Sequence, residues 1–366
     1  MRIRARRGVV FASGGYTHNP DLVLNFQPGP VFGGCAVPTN EGDFVALSES
    51  LGAKLGHMQS AWRAQIVLEQ ALQFSSTPDD VFMPPGDSMI LVNRLGVRVV
   101  DEKANYNERT RVHYAWDPVR HEWINLLLFM VYDQRTAELF GGRFPLPPAG
   151  TSVPYVLRAE SLAELAKAID ARLETLAERT GGARLANEFA NTLAGLASAI
   201  DARLETLADR TGGARLGSDF TKTLPKTVAH WNQMSARGVD EDFSRGAGIY
   251  DRDWHAKIWS FANPGTKHAL TQKNVTMHAL SARGPYYAII LAAGTLDTNG
   301  GPVINSRAQV LDGAGQPIAG LYGAGNCIAS PTGPYYFAGG GTLGPAVTFG
   351  CIAGEGAAGE SLKELA

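Results

Sequence analysis

Residues 336–350 read YFAGGGTLGPAVTFG, and the fold turns on how these glycines are used. Gly339, Gly341 and Gly344 formally satisfy GxGxxG, a spacing that in a strand-turn-helix unit cradles a pyrophosphate. The context excludes that use. Residues 330–337 (SPTGPYYF) are a proline-broken aromatic loop rather than a strand, and only 22 residues follow Gly344, too few for a βαβ unit. What survives is a helix over 342–358, rich in small residues and expected to be buried, whose bare N–H groups face a flat or anionic partner. A close helix-strand contact demands the same glycines, so spacing leaves both readings standing.

Outward from this stretch, residues 310–325 (VLDGAGQPIAGLYGAG) and 8–15 (GVVFASGG) read as short apolar strands running into glycine turns. The two ends of the chain therefore form an α/β layer. Between them, from about residue 60 to 283, helical patterns, an aromatic-rich stretch over 250–261 and several loops indicate a separate α+β cap. The expected architecture is a discontinuous α/β domain carrying an inserted domain.

The middle also contains a tandem duplication: residues 161–191 align with 192–222 without a gap, and 22 of the 31 positions are identical. In each copy the apolar residues recur at helical spacing, as in Leu162, Leu165, Ile169, Leu173 and Leu176. The first copy opens on a Ser161/Glu164 capping box, whereas the second has Gly195 in place of the glutamate. Two copies are too few for a solenoid, so the repeat is an insertion with no chemistry of its own.

Composition narrows the function. With 366 residues, 45% hydrophobic and 19% charged, the chain folds as a globular protein of one large or two ordinary domains. Its net charge of -2 provides no basic field for nucleic acid or anionic lipid. Cys35, Cys327 and Cys351 are scattered and odd in number, and the 8 histidines show no HxxxH or HExxH spacing, so neither a disulfide framework nor a metal site is expected. No GxSxG elbow is present. The longest apolar run, residues 123–132 (WINLLLFMVY), is half of a membrane span and suits a buried strand or helix turn. No signal peptide is readable, so a cytoplasmic location is expected. Residues 93–114 (NRLGVRVVDEKANYNERTRVHY) hold a turn at Arg94-Leu95-Gly96, then a strand, then a polar loop that suits either a site or a solvated surface.

Several of these segments, in order, resemble the flavoprotein superfamily of fumarate reductases and 3-ketosteroid dehydrogenases. VVFASGGYTHNPD (9–21), TNEGD (39–43), NRLGVRVVDE (93–102), LYGAGN (321–326) and YFAGGGTLGPAVTFG (336–350) carry the likeness. The resemblance implies FAD as cofactor and a Rossmann-like FAD-binding domain, N-terminally truncated and discontinuous (1–59 and 284–366), with an inserted substrate (cap) domain over 60–283. It implies cofactor contacts at Ala12, Ser13, Gly14, Gly15, Asn40, Gly42, Asp43, Gly325, Asn326, Gly341, Thr342 and Leu343. Members also resemble one another in an N-terminal strand-GxGxxG-helix, which nothing before Gly8 supplies, so the chain is expected to hold about two thirds of such an enzyme.

Fumarate reductases resemble one another in an arginine in the closing loop, a histidine before the GG segment, and an arginine after the glutamate of the N-x-x-G-x-R segment. Here the loop is Tyr335-Tyr336-Phe337-Ala338-Gly339-Gly340, the GG segment is LDTNGG (296–301), and Tyr106 stands four residues after Glu102. Arg98, Arg109 and Arg111 are the nearby cations, and a dicarboxylate needs cationic partners. The arrangement is similar instead to the ketosteroid Δ1-dehydrogenases, which implies that Tyr336 and Gly340 hold a ketone oxygen and Tyr106 takes the α-proton. The substrate implied is a small hydrophobic ketone. A phenol of pKa about 10 needs a lowered pKa or a second tyrosine as relay to act as base. Alternatives are a fumarate-reductase-like enoate reductase and a catalytically inactive truncated flavoprotein.

Overall fold

The computed structural model describes residues 4–74, 76, 82–179, 214–266, 273–337 and 339–362. The chain separates into two compact units, one of Met1–Arg63, Ser75–Asp79 and Gly294–Ala366, the other of Ala64–Phe74 and Asp80–Ala293.

In the first unit, β1 (Val9–Phe11) runs parallel to β12 (Pro317–Gly323), which pairs antiparallel with β11 (Gln309–Leu311). A second, two-stranded ladder joins β2 (Leu55–Gly56) to β10 (Gly301–Pro302). Helix α1 (Pro20–Phe26) starts where sequence chemistry puts it: Asn19 caps the Leu22 N–H and Pro20 occupies the first turn. Helix α2 (Asp43–Ser50) starts at Gly42, whose φ of +77° suits glycine. Tyr16, Phe44, Val45, Cys327 and Ile328 form the core between these elements. The C-terminal helix α9 spans Leu343–Gly359, so the helix expected over 342–358 is present, but only Ala353 of it is buried. Its small-residue composition predicts burial because it carries almost no charge. The described elements cover only one side of it.

The second unit is built on a sheet of order β3 (Ala61–Val67), β9 (Tyr286–Thr298), β7 (Leu127–Asp133) and β4 (Met89–Val92), with β8 (Val156–Ala159) also on β9. The apolar run near residue 130 is strand β7 (Leu127–Asp133), buried at every position and paired with β4 (Met89–Val92) and β9 (Tyr286–Thr298). Around β7 pack Met89, Leu91, Phe140, Leu146, Trp259, Ile289 and Leu291. Helices α7 (Phe220–Arg237) and α8 (Ile249–Ala262) belong to this unit. The part of the first repeat copy before residue 180 forms helix α6 (Leu162–Arg179), with Leu165, Ile169, Leu173 and Leu176 inward and the Glu164 N–H on Ser161 Oγ at 3.2 Å, and residues 180–191 lie outside the described residues. Most of the second copy lies outside the described residues. Among the described residues no helix is long and apolar enough to cross a membrane.

Residues 93–105 depart from the expectation of a strand after Gly96. The turn forms, with Gly96 N–H on Asn93 O at 2.9 Å, but only an isolated Val92–Arg98 bridge follows. The physical cause is a buried ion cluster that turns the side chains inward. Arg98 forks onto Glu102 at 2.8 Å through two nitrogens and onto Asp240 at 2.9 and 3.0 Å. Glu102 also receives Arg245 at 3.2 Å and the Leu91 N–H at 3.1 Å. Both guanidiniums lie over Trp231, at 4.6 and 4.7 Å from its ring centre. A solvated surface loop is therefore ruled out for Arg98 and Glu102, which are 5% and 0% exposed.

Burial works against ionisation of Glu102, but Arg98 and Arg245 overcome it and hold the carboxyl below its ordinary value of 4.5. A carboxyl lowered by folding contributes stability above that ordinary value and loses it as pH falls through the folded one. We expect Glu102→Gln to cost about 3–5 kcal/mol at neutral pH, since it takes the carboxylate from the buried Arg245 guanidinium and leaves Arg98 to Asp240. Urea unfolding from pH 7 to 3 should show the wild type losing its advantage on the acid side. An unchanged midpoint at pH 7 would contradict this account.

Candidate active site

The first unit is organised around Asp297, a carboxylate 3% exposed at the end of the apolar strand β9. Asp297 Oδ2 accepts from the Gly15 N–H at 2.8 Å, from Asn40 Nδ2 at 2.8 Å and from Asn326 Nδ2 at 3.2 Å. Thr17 Oγ1 and the Thr298 N–H reach Oδ1, both at 2.9 Å. Burial pushes the Asp297 carboxyl above its ordinary range, against the pull of the Gly15, Thr17 and Asn326 donors. Three sequence segments expected to touch the cofactor, 12–15, 40–43 and 325–326, are thus drawn to one side chain.

The glycines of these segments divide into two kinds. At Gly14 (φ +78°) a Cβ would strike the Asn40 amide, at Gly15 it would strike Asp297 and Thr298, and at Gly42 it would strike Tyr16 and Leu22. These three let the chain close on itself. Tyr16 is locked there: its hydroxyl donates to Met58 O and accepts from Gln27 at 2.7 Å, and burial pushes its pKa to about 12. By contrast, Gly339, Gly340 (φ +91°) and Gly344 have nothing within 4 Å of a Cβ position. With Gly341, Thr342 and Leu343 they lead into α9, whose Thr342 cap makes no side-chain bond. Backbone N–H groups at such a start are open to an anionic or flat group. Ala12 and Ser13, just past β1, are exposed, as is Asp43 in the first turn of α2.

Tyr336 joins the same frame through Trp62, which sequence reasoning missed. The two rings meet edge to face at 5.4 Å, and the Trp62 indole N–H holds Asn326 Oδ1 at 2.9 Å. A continuous line therefore runs Tyr336, Trp62, Asn326, Asp297, Gly15. Asp297 was also missed as a site residue, although one acid closing the run YYAIILAAGTLDT signals a buried, multiply bonded carboxylate.

Tyr106 belongs to the second unit and opens helix α4 (Tyr106–Thr110). Asn105 caps it, accepting the Asn107 N–H at 2.8 Å, and its amide nitrogen donates to Tyr250 Oη at 3.2 Å. Three residues on, Arg109 is fully buried and donates to Gln65 at 2.6 Å and to the carbonyls of Ala104 and Phe82, both at 2.9 Å. Desolvation lowers its pKa to about 10. Arg98 is likewise spent on Glu102 and Asp240, and Arg111 lies 3.4 Å from Glu108.

A family profile described as "FAD binding domain" matches residues 1–343. The 4-oxocyclohexanecarboxylate 2-dehydrogenase of Sinomonas cyclohexanicum is 28% identical over 363 residues, 98% of this chain and 52% of that protein. The 3-oxosteroid 1-dehydrogenase of Mycolicibacterium smegmatis is 29% identical over 96% of this chain and 52% of its own length. The crystal structure of 3-ketosteroid delta1-dehydrogenase from Sterolibacterium denitrificans, in complex with 1,4-androstadiene-3,17-dione, superposes with a TM-score of 0.72 at 24% identity, covering 98% of this chain and 55% of that one. The chain thus spans about half the length of the curated relatives it matches, less than the two thirds expected.

Asp297→Asn keeps the volume but turns an amide N–H₂ toward groups that are themselves donors. We expect it to lower stability by about 1–3 kcal/mol and to weaken FAD binding, measured by urea unfolding and by quenching of flavin fluorescence. Wild-type values in both assays would remove Asp297 from its organising role.

Proposed function

Because the chain belongs to the FAD binding domain family, with FAD as its cofactor, we propose that it acts as a FAD-dependent dehydrogenase of the carbon-carbon bond next to a ketone. The substrate is a hydrophobic cyclic ketone of the 3-ketosteroid kind. The observation that carries this reading is the line from Tyr336 through Trp62 and Asn326 to Asp297, which builds a phenol onto the frame that orders the cofactor loops. In this reading segments 1–59 and 284–366 form the cofactor domain and 60–283 the substrate domain.

The residues present fit a flavin dinucleotide: unobstructed glycines at 339–340 precede a helix whose first N–H groups lack a side-chain cap. Backbone at Ala12, Ser13, Gly325, Gly341, Thr342 and Leu343 would hold it, with Asn40 and Asn326 beside them. Gly14, Gly15, Gly42 and Asp43 shape the loops that do so. When bound, the flavin supplies the acceptor for the hydride that leaves the β-carbon.

The chain's own residues handle the ketone and the proton. Tyr336 Oη and the Gly340 N–H donate to the ketone oxygen and stabilise the charge that develops as the enolate forms. Gly340 suits this because a φ of +91° aims its backbone in a direction other residues rarely adopt. Tyr106 removes the α-proton. A reductase of small unsaturated acids is disfavoured, since Arg98 and Arg109 are already committed to buried partners.

Tyr336→Phe tests the assignment. With FAD and an artificial electron acceptor, oxidation of a 3-ketosteroid should fall about 10²-fold or more, while flavin affinity stays unchanged. Undiminished turnover would exclude Tyr336 from holding the ketone, and absence of any turnover in the wild type would favour a catalytically inactive flavoprotein.

A further inference from the structure

Of the three aromatic residues at 335–337, only the middle one is packed: Tyr335 and Phe337 are 65% and 74% exposed, whereas Tyr336 is 9% exposed. The ring it meets is Trp62, 3% exposed, edge to face at an interplanar angle of 61°. Both rings sit in close-packed surroundings, so a displacement of one is felt by the other. The opposite side of the indole is tethered as well. Its N–H, the one polar group of the side chain, donates to Asn326 Oδ1 at 2.9 Å. Asn326 belongs to the single turn Gly325–Cys327 and uses both ends of its amide, since Nδ2 donates to Asp297 Oδ2 at 3.2 Å. The amide therefore cannot turn without losing one bond or the other. Beside it, Gly325 leaves the backbone uncrowded: a Cβ there would meet only Ala346, at 3.7 Å. All of these residues belong to the first unit.

We propose that Trp62 links cofactor occupancy to ketone binding: when FAD lies against the Gly325–Asn326 backbone, the Asn326 amide is fixed and holds the indole, and the indole edge holds the Tyr336 ring where its hydroxyl meets the ketone oxygen. Trp62 acts on the substrate through Tyr336, so it is a positioning residue, and the inference rests on the ketone-holding role of Tyr336 proposed above. The two parts of the indole have separate tasks. Its rings pack against the phenol, a task that another aromatic ring performs as well, whereas the N–H alone registers the position of the cofactor turn. Such a linkage is reciprocal: the factor by which FAD tightens ketone binding is the factor by which the ketone tightens FAD binding. A ketone lying directly on the flavin would also give a linkage, but one that survives loss of the indole N–H.

The probe is 1,4-androstadiene-3,17-dione, which already carries the bond that the proposed reaction would introduce. Its dissociation constant is measured by equilibrium dialysis on the full chain, without FAD and with saturating FAD. We expect FAD to tighten wild-type binding about 10-fold or more, and the same factor to appear in flavin affinity, read by fluorescence quenching, when the steroid saturates. Trp62→Phe should reduce that factor to below about 3-fold while the steroid affinity of the FAD-free chain stays within about 2-fold of wild type. If Trp62→Phe does not fold, as judged by circular dichroism, the benzothiophene analogue of tryptophan at this position keeps the shape, removes only the N–H and should give the same result. Undiminished linkage in the folded variant, or no linkage in the wild type, overturns the role of Trp62. Tyr336→Phe separates that failure from failure of the underlying reading. Weaker steroid binding in this variant keeps Tyr336 on the ketone even where Trp62 carries no linkage, whereas unchanged steroid binding, or a wild type that binds no steroid, removes both.

Discussion

Burying the Asp297 carboxylate is the constraint on which the first unit depends. An isolated buried carboxylate is too costly to persist, and here the cost is met by donors from distant parts of the sequence, Gly15, Thr17, Asn40 and Asn326, together with the adjacent Thr298 N–H. Each donor places its own loop. The turn after β1 must come close enough for the Gly15 N–H to reach Oδ2, which leaves no room for a Cβ at Gly14 or Gly15. Asn326, held at one end by Asp297, is held at the other by Trp62, and Trp62 in turn supports Tyr336. One acid therefore sets the relative positions of most candidate cofactor residues.

The second unit relies on a comparable device, again a buried carboxylate, but one met by cations. Glu102 is shared by Arg98 and Arg245, which lie over Trp231, and the Leu91 N–H ties the cluster to β4. Buried ion clusters of this kind contribute less to stability than apolar packing of equal volume, but they admit few alternative arrangements. The arrangement selected here holds residues 98–102, and α4 begins four residues later with Tyr106 as its first member. Lys103 extends the same logic: its ammonium is buried against the carbonyls of Pro84 and Gly86 at 2.6 and 2.7 Å, and burial pulls its pKa well below the ordinary lysine range.

Much of this was legible in residue order because it depends on local chemistry. The Ser161/Glu164 helix start, the turn closed by Gly96 and the buried run of β7 each follow from a few neighbouring residues. The candidate residues Tyr106, Tyr336 and Gly340 came from the resemblance to the ketosteroid Δ1-dehydrogenases. Trp62 and Asp297 did not, because each acquires its role mainly through partners 29 or more residues away, as Asp297 does with Asn326 and with Gly15, 282 residues distant. Local pattern also misled where side chains turned out to be engaged elsewhere: the expected strand after Gly96 is a loop because Arg98 and Glu102 face inward.

The sequence by itself determined an α/β layer at the two ends, a helix start, a turn and the duplication, because these rest on propensity, periodicity and spacing over short stretches, and its resemblance to flavoproteins supplied the order of motifs. Only the tertiary structure decided which glycines are packed and which are open, which arginines are spent, and which groups attend Tyr336 and Tyr106. Desolvation is the reason. A buried polar group must find partners wherever the chain brings them, and their identity is a property of the folded whole.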